Sequence, residues 1–295
     1  MSLDGAEVPV PKGATALDAL LPPEMARRAE EVGVAKVAME PGRLLALAVL
    51  AGAFIAFGAI FATVASAGEA AWGATRVLAG VVFSVGLILV VVGGAELFTG
   101  NNLIVMAWAG GQVRTGALLR NWILVFAGNF GGAVGIALLA TGARLHEAGG
   151  GAVGATALGI ATAKLHLGFV QAVLLGVLGN VLVCLAVWLA YSARSTTDRV
   201  LAIVPPIATF VAAGFEHSVA NMYFVPHALF VTWLDPAFVA ARSPSAQQLT
   251  WAGFLARNLM PVTLGNVIGG AVLVGGVYWF VYLRPLRAKA RGACR

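Results

Sequence analysis

Charge is what this sequence has least of: only 11% of its 295 residues are Asp, Glu, Lys or Arg, less than half of the roughly 25% usual in a soluble domain. A water-soluble fold could not clothe itself with so few charges, which excludes a cytosolic enzyme and a disordered chain alike. Cysteine is equally scarce. Cys184 lies in an apolar run and Cys294 in the C-terminal tail, a placement that suggests neither a disulfide nor a metal site. No cofactor is expected. Gly-x-Ser-x-Gly and His-Glu-x-x-His patterns are both missing, so nothing supports intramembrane catalysis and the chain is not expected to be an enzyme.

What is present is apolar: 60% of the residues are hydrophobic and the mean hydropathy is +0.89. Six segments stand out, roughly Leu44 to Ser66, Val77 to Ala109, Leu118 to Thr141, Leu165 to Tyr191, Val200 to Trp233 and Phe254 to Leu283. Each reaches the ~20 residues that cross a bilayer. The second and fifth are far longer and are interrupted by polar residues near their middles, the pattern of broken helices. The organisation read from this is an N-terminal segment at 1–42 with a short surface helix, a transmembrane domain at 43–284 and a basic tail at 285–295. Residues 1–42 contain no apolar core, so no cleavable signal peptide is read there. The formal net charge of +6 reports topology, because the basic residues flank the apolar segments rather than forming the stripe that would bind nucleic acid. Of the 19 Lys and Arg, 14 fall on the side of the two termini, which places both termini in the cytoplasm.

The two halves of the chain repeat. Gly94-Ala95-Glu96 precedes Asn101 by the spacing with which Gly214-Phe215-Glu216 precedes Asn221, each at the interruption of a long segment. Arg120-Asn121 then Gly128-Asn129 likewise match Arg257-Asn258 then Gly265-Asn266. Each half holds three spans, an odd number, so the halves insert with opposite orientation. Inverted repeats with one broken helix apiece bring the breaks together near the midplane, where helix N-termini favour a small anion.

Glu96, Glu216 and His217 are ionisable groups deep within these spans, and burying them is costly unless they are paired or wet. The glutamates are read first as structural, accepting hydrogen bonds from amides exposed by the breaks, with a cation site as the alternative. His217 has no counterpart, since its matching residue is Leu97. That asymmetry marks it as the functional candidate, with Thr99 from the other break as its partner and Asn101 and Asn221 supporting the loops. Phe83, Leu87, Leu97, Phe98, Val183 and Phe210 are candidate constrictions, or ordinary packing. Asn180 and Asn266 either relieve an apolar lining or bond helix to helix. Lys164 either draws anions into an outer vestibule or snorkels to the interface. His227 is assigned no role.

The stretches Ala95-Glu96-Leu97-Phe98-Thr99-Gly100-Asn101-Asn102 and Gly214-Phe215-Glu216-His217-Ser218-Val219-Ala220-Asn221-Met222 resemble the signatures of the formate/nitrite transporter family, as do Gly179-Asn180 and Asn258-Leu259-Met260-Pro261. The resemblance covers roughly residues 25 to 285. It implies an all-α integral membrane fold of six transmembrane helices, an aquaporin-like inverted 3+3 repeat with broken second and fifth helices. It also implies a homopentamer in the inner membrane whose protomers each pass a small monovalent anion. On that resemblance the central histidine is His217, the loop threonine Thr99, the vestibule lysine Lys164 and the pore asparagines Asn180 and Asn266. The constrictions fall on the six apolar residues named above. Glu96 and Gly100 stand where formate channels carry aspartate and serine. Formate is the expected substrate, with nitrite or hydrosulfide next and a neutral-solute channel more distant, since the Asn-Pro dipeptide of such channels does not occur.

Overall fold

Proline fixes φ near the helical value and has no N–H to lose, so it suits the first turn of a helix. Pro22 opens α1 (Pro22–Ala38) and Pro41 opens α2 (Pro41–Ala65), where the Glu40 carboxylate accepts the Gly42 and Arg43 amides at 2.9 Å. The computed structural model describes residues 19–68 and 71–285, and every regular element among them is helical. Lys12, Arg287, Lys289, Arg291, Arg295 and Cys294, which entered the sequence reading, lie outside the described residues.

The next helix, α3 (Trp72–Gly93), stops at Gly94, whose φ of 80° is left-handed. A side chain there would be strained, and glycine is not. The chain crosses 95–99 without helical structure, makes a tight turn over Gly100–Ile104 and resumes as the short α4 (Val105–Ala109). After α5 (Thr115–Gly142), α6 (Ala152–Leu165) and α7 (Phe169–Ser192), the same event recurs. Helix α8 (Thr196–Ala212) ends before Gly214, again left-handed at φ 77°, and α9 (Ser218–Leu234) starts beyond His217. Helix α9 then bends by 109° into α10 (Pro236–Arg242), and α11 (Trp251–Leu283), partly wound in wide turns, completes the fold.

Five helices, α2, α3, α5, α7 and α11, are each long and apolar enough to cross a bilayer. The fifth expected span is α8 and α9, 17 residues each, on the two sides of the second break. The expected segments are thus recovered, with earlier starts at Pro41, Trp72, Thr115, Thr196 and Trp251 and a later one at Phe169. Helix α6 has no counterpart among them. It is apolar but only 14 residues long, too short to read as a span.

Helix α6 completes the repeat, which pairs α1 with α6, α2 with α7, α3 with α8, α4 with α9 and α5 with α11. Close helix approach follows the same pairing. A Cβ on Gly132 would collide with the Val49 carbonyl oxygen where α5 crosses α2, and one on Gly269 would collide with the Val177 carbonyl where α11 crosses α7. Only glycine allows backbones that near.

Candidate functional site

Breaking a helix frees amides and carbonyls that a bilayer cannot satisfy. One asparagine per half meets that need. Asn129 on α5 accepts the Phe98 amide at 2.8 Å and donates to the Glu96 and Ala48 carbonyls at 2.9 and 2.7 Å. Asn266 on α11 accepts the Ser218 amide at 2.9 Å and donates to the Glu216 and Gly176 carbonyls at 3.0 and 2.7 Å. The glutamates were expected to take these amides, and this is corrected: a side-chain amide can satisfy both an N–H and a carbonyl, whereas a carboxylate only accepts.

The carboxylates instead bind side chains. Glu216 accepts from Lys164 Nζ at 2.7 Å, from Asn221 at 2.6 Å and from Asn258 at 3.4 Å, and Asn258 also donates to the Lys164 carbonyl at 3.2 Å. Glu96 accepts from Lys36 Nζ at 2.7 Å and from Asn101 at 2.8 Å, while Asn121 donates to the Lys36 carbonyl at 3.2 Å. Burial of these charges is thereby paired and hydrogen-bonded, the condition under which it is tolerated. Lys36 was read from sequence only as a topology marker. Its signal was its position, five residues before the first residue of α2, as Lys164 stands five before the first residue of α7. The two networks differ in two bonds: Asn258 reaches Glu216 where Asn121 does not reach Glu96, and Lys36 also donates to Asn101 Oδ1 at 3.0 Å, whereas Lys164 lies 5.4 Å from the Phe224 ring centre.

Between the two networks lies His217, the N-cap of α9. Its Nδ1 accepts the Ala220 amide at 3.2 Å, so the ring proton belongs on Nε2, which lies 2.8 Å from Thr99 Oγ1 of the opposite break. This pattern fits neutral imidazole donating from Nε2. Three cavities adjoin around it, two of them lined by His217 itself. A vestibule of about 270 Å³ on the α6 side is lined by Lys164, Glu216, Asn221, Arg76, Phe83, Phe210 and His217 among others. One of about 200 Å³ on the α1 side is lined by Lys36, Glu96, Asn101, Leu87, Leu97 and Tyr191 among others. The neck between them holds about 10 Å³ and is walled by Ile55, Phe83, Leu87, Leu97, Val183, Ile207, Phe210 and His217.

Five of the six apolar constriction candidates therefore meet at the neck, joined by Ile55 and Ile207, which look like ordinary packing residues in sequence. Phe98 is the exception. It turns toward α5 and stacks edge-on against Trp122 and Phe126. Thr99, Asn180 and Asn266 line none of the three cavities. Asn180 donates to the Asn266 carbonyl at 2.6 Å and, more weakly, to Asn102 Oδ1 and the Thr99 carbonyl. Interhelical bonding, the alternative left open for both asparagines, is what their amides do, and a relief role in the lining is corrected. His227 bridges α9 to Thr141 of α5 at 2.9 Å and stacks on Tyr223.

A family profile described as formate/nitrite transporter matches residues 23–280. The chain belongs to this family. It is 43% identical over 273 residues to formate channel FocA of Escherichia coli K12, covering 90% of this chain and 96% of that one. It is 39% identical over 264 residues to FocA of Haemophilus influenzae, with 87% and 93% covered. Among solved structures, a pentameric formate channel with formate bound superposes with a TM-score of 0.77 at 42% identity, covering 83% of this chain and 98% of that one. An FNT family ion channel superposes at 0.75 and 27% identity, with 87% and 98% covered. The protein is a multi-pass membrane transporter of this family, with the family's all-helical fold.

Proposed function

We propose that the protein carries formate across the inner membrane, each protomer of a homopentamer through its own neck. Both termini are cytoplasmic, so the α6-side vestibule opens outward and the α1-side vestibule inward. The observation that carries this reading is the apolar neck of about 10 Å³ with His217 Nε2 bonded to Thr99 at 2.8 Å, flanked on both sides by a lysine-bearing vestibule. Formate fits as substrate because the similar channels carry that name.

The neck penalises a bare anion far more than its conjugate acid. Lys164 and Lys36, each paired with its glutamate, offer the anion their remaining N–H donors at each mouth, and at the neck Nε2–H of His217 is the donor that replaces its water, with Thr99 releasing it. Neutral His217 has only that proton, so giving it away would leave imidazolate. Proton transfer would require Nδ1 to release the Ala220 amide and take a proton. His217 therefore acts by hydrogen-bond donation, and Asn129, Asn266 and Asn180 hold the breaks that present it. Competitive uptake of formate, nitrite, hydrosulfide and acetate by proteoliposomes tests the proposal: formate should give the highest flux, and preferential glycerol swelling without anion flux would overturn it.

A further inference from the structure

Around the breaks the two vestibules share a network but not a net charge. Lys164 pairs with Glu216 and Lys36 with Glu96, both at 2.7 Å, so each pair cancels. The α6-side vestibule has a further cation in its wall, Arg76. The α1-side wall holds no ionisable side chain besides Lys36, Glu96 and Tyr191 among the described residues. The 120-residue offset that relates Glu96 to Glu216 sets Thr196 against Arg76, and a threonine supplies no charge. Among the described residues no carboxylate lies within ion-pair distance of Arg76.

Arg76 is also held in place. Its Nη2 donates to the Val211 carbonyl at 2.7 Å and its Nε to the Ala212 carbonyl at 3.2 Å. These are the last carbonyls of α8, the negative pole of that helix, which would otherwise face an arriving anion. Left-handed Gly214 makes room, since a Cβ there would stand 3.0 Å from Nη2. At the matching end of α3, the Gly94 and Ala95 amides take the Val90 carbonyl, and no cationic side chain bonds to the last turn among the described residues. One helix end is neutralised by a fixed guanidinium and its counterpart is not.

We infer that Arg76 makes the α6-side vestibule the capture side, so that the anion half-saturates transport at lower concentration from that side than from the other. The inference rests on the anion-transport reading above. A single cation without a carboxylate partner in a low-dielectric cleft concentrates counter-ions at the mouth, and salt screens the effect.

The test measures formate flux from each side, using right-side-out and inside-out vesicles containing the full-length protein, at low and high ionic strength. The half-saturating concentration on the Arg76 side should be the lower one at low salt and should approach the other at high salt. In Arg76→Gln it should rise about fivefold on that side alone, with the ratio of the two directional maximal fluxes shifting to match, as detailed balance requires, while Arg76→Lys stays within about twofold of the parent. Equal half-saturation from both sides of the parent with equal salt dependence would overturn the inference. So would an Arg76→Gln that lowers maximal flux in both directions without moving half-saturation, the signature of a purely structural helix cap. Should Arg76→Gln fail to fold, the two-sided salt dependence of the parent decides alone. A parent that carries no anion in either direction defeats the transport reading instead.

Discussion

Replacing Asn266 with alanine removes one acceptor and two donor contacts from the second break: the Ser218 amide at 2.9 Å, the Glu216 carbonyl at 3.0 Å and the Gly176 carbonyl at 2.7 Å. Two of these partners belong to the break itself. Leaving a buried amide and a buried carbonyl unpaired costs about 1–3 kcal/mol each. Hydrogen bonds in membranes average nearer 0.6 kcal/mol, because the unfolded chain also finds partners. Weighing the two, Asn266→Ala should destabilise by about 2–4 kcal/mol. Asn129→Ala, which strips the Phe98 amide and the Glu96 and Ala48 carbonyls, should cost the same within the scatter. Asn266→Asp should be no better than alanine. It keeps an acceptor for Ser218 but sets a carboxylate against two carbonyl oxygens. Reversible unfolding in mixed detergent micelles measures all three. Losses below about 0.5 kcal/mol for both alanine variants would refute the claim that these side chains, rather than water or the glutamates, satisfy the breaks.

The paired lysines give the next test. Lys36→Met leaves Glu96 buried without its cation and should cost about 3–5 kcal/mol, most of it recovered by adding Glu96→Gln, as a double-mutant cycle in thermal unfolding will show. Gly132→Ala, whose Cβ meets the Val49 carbonyl, should abolish folded protein, whereas Gly135→Ala meets nothing within 4 Å and should leave the yield of folded oligomer unchanged on size-exclusion chromatography. His217→Phe should slow formate flux at every external pH while leaving the shape of the pH profile as in the parent. A profile flattened by that substitution would show that His217 relays a proton. Thr99→Val should slow flux in the same way and, by leaving the buried Nε2–H unpaired, destabilise by about 1–3 kcal/mol in the same unfolding assay.

The scaffold of the site was legible because a break has a fixed vocabulary. A glycine that tolerates positive φ, a glutamate two residues on and an asparagine five residues after that recur in both halves, and the structure places them in equivalent bonds. His217 stood out because its match is Leu97, and its Thr99 partner followed from facing breaks. Other features needed the third dimension. Lys36 meets Glu96 across 60 residues, and a lysine in a mildly amphipathic helix carries no mark of that partner. Phe98 and its neighbour Leu97 are equally apolar, and only the path of the chain through the break decides which one reaches the neck. The asparagines Asn129 and Asn266 were visible as repeats, but that both serve the breaks rather than line a path is a matter of amide orientation. Helix α6 was hidden by its length, since 14 apolar residues fall short of the ~20 that cross a bilayer.

The most direct test of the central claim is formate efflux from proteoliposomes carrying Val183→Phe, with oligomer integrity checked on the same preparation. Val183 walls a neck with room for about 10 Å³, which a phenyl ring would fill. The account predicts saturable formate flux in the parent and flux at the protein-free background in the variant. Parental flux through an intact Val183→Phe oligomer would contradict it, because formate would then be crossing somewhere other than past His217.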